Sequence, residues 1–347
     1  MKNSLLSDLV IRKGMTLSFP NERVVELKLS NPIGKGTMTG YLLSSHVVVC
    51  LVDFACEECP SMMPGSQFSG NDIVEHIKNV TKSNSVPRST ENSDADKWLL
   101  INYCIEGRCE TDIPHAGVAV VSETDVCVSF SHTSNGSYEL PRSFRYPLAR
   151  YVGIEIFVCA EVLNEPEFSL LREPDNDVVY TWSQAGPSAI FSGDKELIAQ
   201  MKRASSAAQS SDWVQAKLAV LELLWTLSRR NYNLAKPRTL LTPAQLHMAK
   251  TAHDLIESSP TQPHDARDIA SDMGISATTL NGYFQKMYGM TIASYARRQR
   301  IRLAKETLMQ GKRVSIAACE AGYSNPSKFA AAFKRETGMT PSEFRKQ

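Results

Sequence analysis

The chain has 347 residues, with 38 Lys/Arg against 37 Asp/Glu and eight cysteines. That length supports two or three domains, each with its own core. The net charge of +1 hides an uneven distribution: residues 242–347 carry 15 Lys/Arg against 9 Asp/Glu, and the preceding 241 residues carry 23 against 28. A basic tail on an acidic body implies a polyanionic partner for the tail and a different task for the front.

Residues 1–15 are interrupted by Asp8, Arg12 and Lys13, and so do not read as a secretory leader. The apolar run 41–50 contains Ser44, Ser45 and His46 and is far shorter than the roughly 20 residues of a membrane span. Eight thiols in such a chain fit a reducing cytoplasm and argue against a disulfide frame. The composition therefore excludes membrane and disulfide-scaffold classes from the expectation.

Runs rich in Val, Ile, Tyr and Phe predict strands over 38–54, 98–105, 117–130 and 152–162. The polar stretch 81–97, with Val86 its one branched aliphatic residue, predicts a long loop. Before it, Cys56-Glu57-Glu58-Cys59 has the spacing of half a zinc site or a redox pair. No second Cys-x-x-Cys or His-x-x-x-His completes four ligands, and Glu57 and Glu58 would raise the thiol pKa values. Ordinary thiols are the competing reading, and no metal site is expected. Tyr103, Glu106 and Arg108, around a predicted turn at Glu106-Gly107-Arg108-Cys109, are candidate polar groups for an effector pocket; stabilising a hairpin is the alternative. Trp98 and Trp182 could stack on a ligand or fill a core.

Helical signals take over after about residue 190. Asp212 is a plausible N-cap for a helix over 213–228, which has no Gly or Pro. It carries two apolar stripes, Val214/Leu218/Leu221/Trp225 and Trp213/Val220/Leu224/Leu227. One could pack on the β-rich part while the other meets a second copy; a wholly buried helix is the alternative. Residues 229–241 read as a linker. Thr242-Pro243 then predicts a helix start, and Pro260 and Pro263 set its end near 259.

The tail holds one pattern twice. The first copy runs from Ile269-Ala270-Ser271-Asp272-Met273-Gly274-Ile275-Ser276 through Leu280 and Phe284 to Gly289. The second runs from Ala317-Ala318-Cys319-Glu320-Ala321-Gly322-Tyr323-Ser324 through Phe329 and Phe333 to Gly338. Gly274 and Gly322 stand where a helix-turn-helix needs a left-handed backbone. Ser276 and the pair Asn325-Pro326 are helix starts, and the i,i+4 pairs Leu280/Phe284 and Phe329/Phe333 bury one face of each second helix. The opposite faces are left for a major groove. Between the copies, 293–309 predicts a helix of roughly 26 Å at 1.5 Å per residue. It is dense in cations: Arg297, Arg298, Arg300, Arg302 and Lys305. Some would neutralise phosphates, whereas Arg300 is expected to be held between the halves.

This region resembles the AraC/XylS family of bacterial transcription regulators. The resemblance rests on Tyr295, Arg300, Ala304 and Leu308, on the run from Ala321 to Phe329, and on Ala332-Phe333-Lys334, Gly338, Pro341 and Arg345. It implies an α+β multidomain chain in three parts. Residues 1–190 would form a β-rich, cupin-like barrel that binds an effector. Residues 191–241 would be a helical dimerisation region and linker, and 242–347 an all-α double helix-turn-helix domain. It implies promoter DNA and RNA polymerase as partners, an unknown small-molecule effector, a homodimer and activation as the output, with no cofactor. The family's base-facing positions fall on Thr278, Asn281, Gly282 and Gln285 in the first unit. In the second they fall on Pro326, Ser327, Lys328 and Ala331, with Lys334 toward phosphate. Gly282 and Ala331 depart from the long cationic readers common there, so direct readout should be modest: Asn281 or Gln285 toward adenine, Lys328 toward guanine. The chain lacks the His-x-His pair of metal-binding cupins.

Two other classes compete. One is a redox or metal sensor acting through Cys56 and Cys59. The other is an enzyme fused to a DNA-binding tail, for which no Gly-x-Ser-x-Gly, Walker loop or paired zinc ligands appear.

Overall fold

The computed structural model describes residues 9–12, 14–57, 97–113, 117–131, 133–134, 137–138, 144–172, 177–186, 188–235 and 241–346. Cys59, 236–240 of the expected linker and 81–96 of the expected loop lie outside them. The chain divides into two units, 1–240 and 241–347.

The first unit opens with strands β1 (Leu9–Arg12), β2 (Met15–Asn21), β3 (Val24–Leu29), β4 (Lys35–Leu42) and β5 (Val47–Ala55). It continues with β6 (Trp98–Ile113), β7 (Gly117–Ser122), β8 (Asp125–Ser131), β9 (Thr133–Ser134), β10 (Ser137–Tyr138), β11 (Phe144–Arg145), β12 (Tyr151–Cys159) and β13 (Ala189–Ser192). Apart from the small β9–β10 ladder, these strands form one large antiparallel sheet. Its order is β1-β2-β3-β4-β5-β12-β6-β8-β13, with β7 and β11 also paired to β6. At its centre Ile154 of β12 stands opposite Leu51 of β5 and Tyr103 of β6.

Three sequence expectations need correction. The run 38–54 is a hairpin rather than one strand, because Leu43 N–H bonds back to the Val47 carbonyl at 3.0 Å. The run 117–130 is likewise two strands, turned at Thr124, whose φ is +70°. The expected turn at Glu106-Gly107-Arg108-Cys109 is a bulge inside one long strand. There the β12 register slips between Val152 and Gly153, and Gly107 has φ +89°. A Cβ on Gly107 would lie 2.1 Å from the Arg150 carbonyl oxygen, which explains why the kink uses glycine. Beyond it, β6 leaves β8 and pairs with β7.

Helices α1 (Val178–Ser183), α2 (Lys195–Gln209), α3 (Trp213–Ser228) and α4 (Tyr232–Ala235) complete this unit. Asp194 and Asp212 cap α2 and α3 through their side chains. One face of the sheet shares a core with these helices, including Val49, Ile101, Ile156, Trp182, Met201, Leu224 and Leu227. The other face builds a second core from Leu27, Met38, Val52, Phe54, Cys104, Tyr146 and Tyr151. Of the two stripes on α3, Val220, Leu224 and Leu227 are fully buried, whereas Val214 is 68% and Leu218 51% exposed. All four tryptophans belong to this unit.

The second unit is helical: α5 (Pro243–Ser258), α6 (Ala266–Asp272), α7 (Ala277–Tyr288), α8 (Ile292–Met309), α9 (Val314–Glu320), α10 (Pro326–Thr337) and α11 (Pro341–Phe344). Thr242 starts α5 with a reciprocal capping box to Gln245. Helix α8 is common to two cores. Its N-terminal half carries Tyr295 into an aromatic group with Phe284, Tyr288 and His253. Its C-terminal half carries Ile301, Ala304 and Leu308 against Phe329 and Phe333.

Candidate nucleic-acid interface

Helices α6–α7 and α9–α10 are the two helix-turn-helix units, and local chemistry sets both turns. Gly274 (φ +68°) and Gly322 (φ +75°) adopt the left-handed backbone. Ser276 Oγ accepts the Thr279 N–H at 3.1 Å to begin α7. Asn325 Oδ1 accepts from Ser327 and Lys328 N–H at 2.9 and 3.0 Å to begin α10, with Pro326 in its first turn. Both helices end on left-handed glycines, Gly289 and Gly338. Leu280, Phe284, Phe329 and Phe333 are buried, each large side chain contributing about 1.5–3 kcal/mol. That burial fixes which face of each helix is outward.

On the outward face of α7, Thr278 and Gln285 are exposed. Gly282 is half-buried, and a Cβ there would meet nothing within 4 Å. Asn281 is half-buried with both ends of its amide engaged. Its Oδ1 accepts the Ile292 N–H at 3.0 Å, at the start of α8, and its Nδ2 donates to the Ala277 carbonyl at 3.1 Å. In the second unit Pro326, Ser327, Lys328, Ala331 and Lys334 are all exposed.

The cations of α8 mostly face protein groups. Arg300 lies 5.0 Å from the Tyr323 ring, and its buried Nε has no hydrogen-bond partner. Arg297 approaches Glu336 at 3.8 Å, and Lys305 sits 5.5 Å from the Phe344 ring. Arg302 bonds Glu257 Oε2 at 3.1 Å. The other Glu257 oxygen accepts the Tyr295 hydroxyl at 2.6 Å; burial and then this carboxylate raise the Tyr295 pKa. Arg298 is exposed. Helix α8 is thus chiefly a strut between the units.

In the first unit Tyr103, Glu106 and Arg108 have three different surroundings. Tyr103 belongs to the helix-side core, with the Lys202 ammonium 5.7 Å from its ring. Glu106 meets Arg150 at 3.4 Å, and Arg150 also pairs with Asp53. Arg108 donates to Ser122 Oγ at 2.7 Å, and burial lowers its pKa. Trp182 is fully buried and donates to the Leu224 carbonyl at 3.4 Å; Trp98 is half-buried. Cys56 lies in the second core, where burial first and Glu57 second push its thiol up to about 11.

One polar group in the sheet is not marked by any motif in the sequence. Glu155 stands on β12 opposite Cys50 and Asn102, facing the second core, and burial pushes its carboxyl up to about 7. Asn102 donates to it at 3.3 Å and accepts from the Tyr151 hydroxyl at 2.7 Å. An acid set between Ile154 and Ile156, within an otherwise apolar stretch 152–160, is the available signal.

Two helix-turn-helix units built on one shared helix define a DNA-binding domain. Residues 269–347 match a family model described as a helix-turn-helix domain. Over 155 residues the chain is 27% identical to the HTH-type transcriptional activator RhaR of Yersinia pestis bv. Antiqua (strain Angola), covering 44% of this chain and 52% of that protein. Over 96 residues it is 30% identical to the HTH-type transcriptional regulator RipA of Corynebacterium glutamicum, covering 28% and 29% of the two chains. A solved structure, a probable AraC family transcriptional regulator from Rhodopseudomonas palustris CGA009, aligns at 26% identity with a TM-score of 0.27, covering 29% of this chain and 95% of that one. The C-terminal domain is thus similar to the DNA-binding domains of AraC/XylS-type transcription regulators. It spans about half the length of the RhaR proteins it matches.

Proposed function

We propose that this protein is a cytoplasmic, sequence-specific transcription activator, not an enzyme, that works on promoter DNA with RNA polymerase under the control of a small effector. The observation that carries this reading is the pair of outward faces on α7 and α10, each opposite a buried apolar face. Both helices enter successive major grooves. Gln285 reads adenine, with Thr278 and Gly282 beside it, and Asn281 serves that face by fixing the start of α8. Lys328 reads guanine among Pro326, Ser327 and Ala331, and Lys334 meets phosphate.

Residues 1–190 sense the effector in a cupin-like sheet, with Tyr103, Glu106 and Arg108 as its candidate contacts. Residues 191–241 mediate homodimerisation, for which the support is the exposed Val214 and Leu218 on α3. Genome-wide occupancy of the tagged protein in its own host tests the reading. A motif of two half-boxes about one helical turn apart, upstream of a few operons, is expected. Salt-sensitive occupancy without a motif would overturn it.

A further inference from the structure

The two units differ in charge. From Asp265 to Gly289 the first has two cations, Arg267 and Lys286, against three carboxylates, Asp265, Asp268 and Asp272. From Arg313 to Gly338 the second has four, Arg313, Lys328, Lys334 and Arg335, against Glu320 and Glu336. Pairing widens the difference. Glu320 is bound by Lys312 and Thr307, both at 2.8 Å, and Glu336 faces Arg297 at 3.8 Å. Asp268 and Asp272 are exposed on α6, the helix that in this motif crosses the phosphate backbone. The outward face of α7 offers one long polar reader, Gln285, since the Asn281 amide is engaged and Gly282 has no side chain. Lys328, Lys334 and Arg335 are all exposed on α10.

We infer that the two units bind DNA unequally: α9–α10 is the electrostatic anchor that holds most phosphates, and α6–α7 is a weakly attached reader. This rests on the DNA-binding reading above. Its consequence is a lopsided operator, with one well-defined half-box under α10 and one degenerate half-box under α7. Counterion release makes the inequality measurable, because each phosphate-bound cation contributes about 0.9 to the slope of log affinity against log salt.

The experiment uses the full chain and a mixed-sequence duplex of about 40 base pairs. Slopes are compared for the unaltered protein, the double variant Lys334→Gln/Arg335→Gln and the double variant Arg267→Gln/Lys286→Gln. Circular dichroism checks that all three are folded. The expected result is a slope reduced by about 2 in the second-unit variant and by less than about 1 in the first-unit variant. Equal reductions, or a larger one for Arg267 and Lys286, would overturn the inequality while leaving DNA binding intact. Failure of the unaltered protein to bind the duplex would overturn both. Selection from a randomised pool gives an independent readout, in which two equally sharp half-boxes also count against the proposal.

Discussion

Asn281 lies on the row of α7 proposed to face the bases, yet its amide ties the start of α8 to α7. Truncating such a cap costs about 1 kcal/mol. Asn281→Ala should therefore lower the melting temperature by a few degrees and leave base preference unchanged. Gln285→Ala should do the reverse, keeping stability and relaxing preference in the half-box under α7. Melting curves and selected-sequence profiles of both variants decide this, and a changed preference for Asn281→Ala at full stability would return that residue to the reading set. Glu155 makes a pH prediction. Its carboxyl titrates near 4.3 when unfolded and near about 7 in the sheet. Between those values the folded chain retains a proton that the unfolded chain has lost. Stability therefore falls as pH rises through this window and levels off above it. Glu155→Gln should remove that dependence and stabilise the unit at about pH 8 by on the order of 2 kcal/mol. Urea midpoints at about pH 5 and pH 8 test it; a variant that keeps the wild-type pH dependence would show that another group is responsible.

At the scale of elements, α3 presents two faces of opposite fate. Leu224 is fully buried, so Leu224→Ala should cost about 2–5 kcal/mol by leaving a cavity. Val214 and Leu218 are exposed, so Val214→Glu/Leu218→Glu should leave folding intact and convert the proposed dimer to a monomer in sedimentation. A folded variant that remains dimeric would move the interface elsewhere. The two turn glycines offer a matched pair. Both have positive φ, but a Cβ on Gly322 would meet the Thr261 carbonyl oxygen at 2.5 Å, and one on Gly274 would meet nothing within 4 Å. Gly274→Ala should cost about 1 kcal/mol, and Gly322→Ala clearly more, because it must also push back the backbone at 261. Equal losses of thermal stability would show that this loop yields.

Across the whole molecule, what was legible in the sequence was local. Asp212, Thr242, Ser276 and Asn325 each cap within three residues, so their helices could be read from short windows. The apolar pairs on α7 and α10 marked the buried faces and hence the outward ones. What escaped depended on distant partners. The strands β2 and β3 interleave Ser18, Glu26 and Lys28 with apolar residues, so no continuous apolar run marks them. The bulge at Gly107 exists because Arg150 crosses beside it, and the capture of Asn281 depends on a helix eleven residues away.

The placement of tryptophan gives the chain an internal optical label. Trp98, Trp182, Trp213 and Trp225 all lie before residue 241, so indole emission comes entirely from the first unit, and the DNA-binding unit is dark. Trp213 and Trp225 are half-buried on α3, each 5.1 Å from an arginine, which makes them sensitive to what approaches that helix. Compounds can therefore be screened on the unlabelled protein by colour alone. Because the second unit holds no indole, a spectral shift on adding DNA would report a change in the surroundings of the first unit.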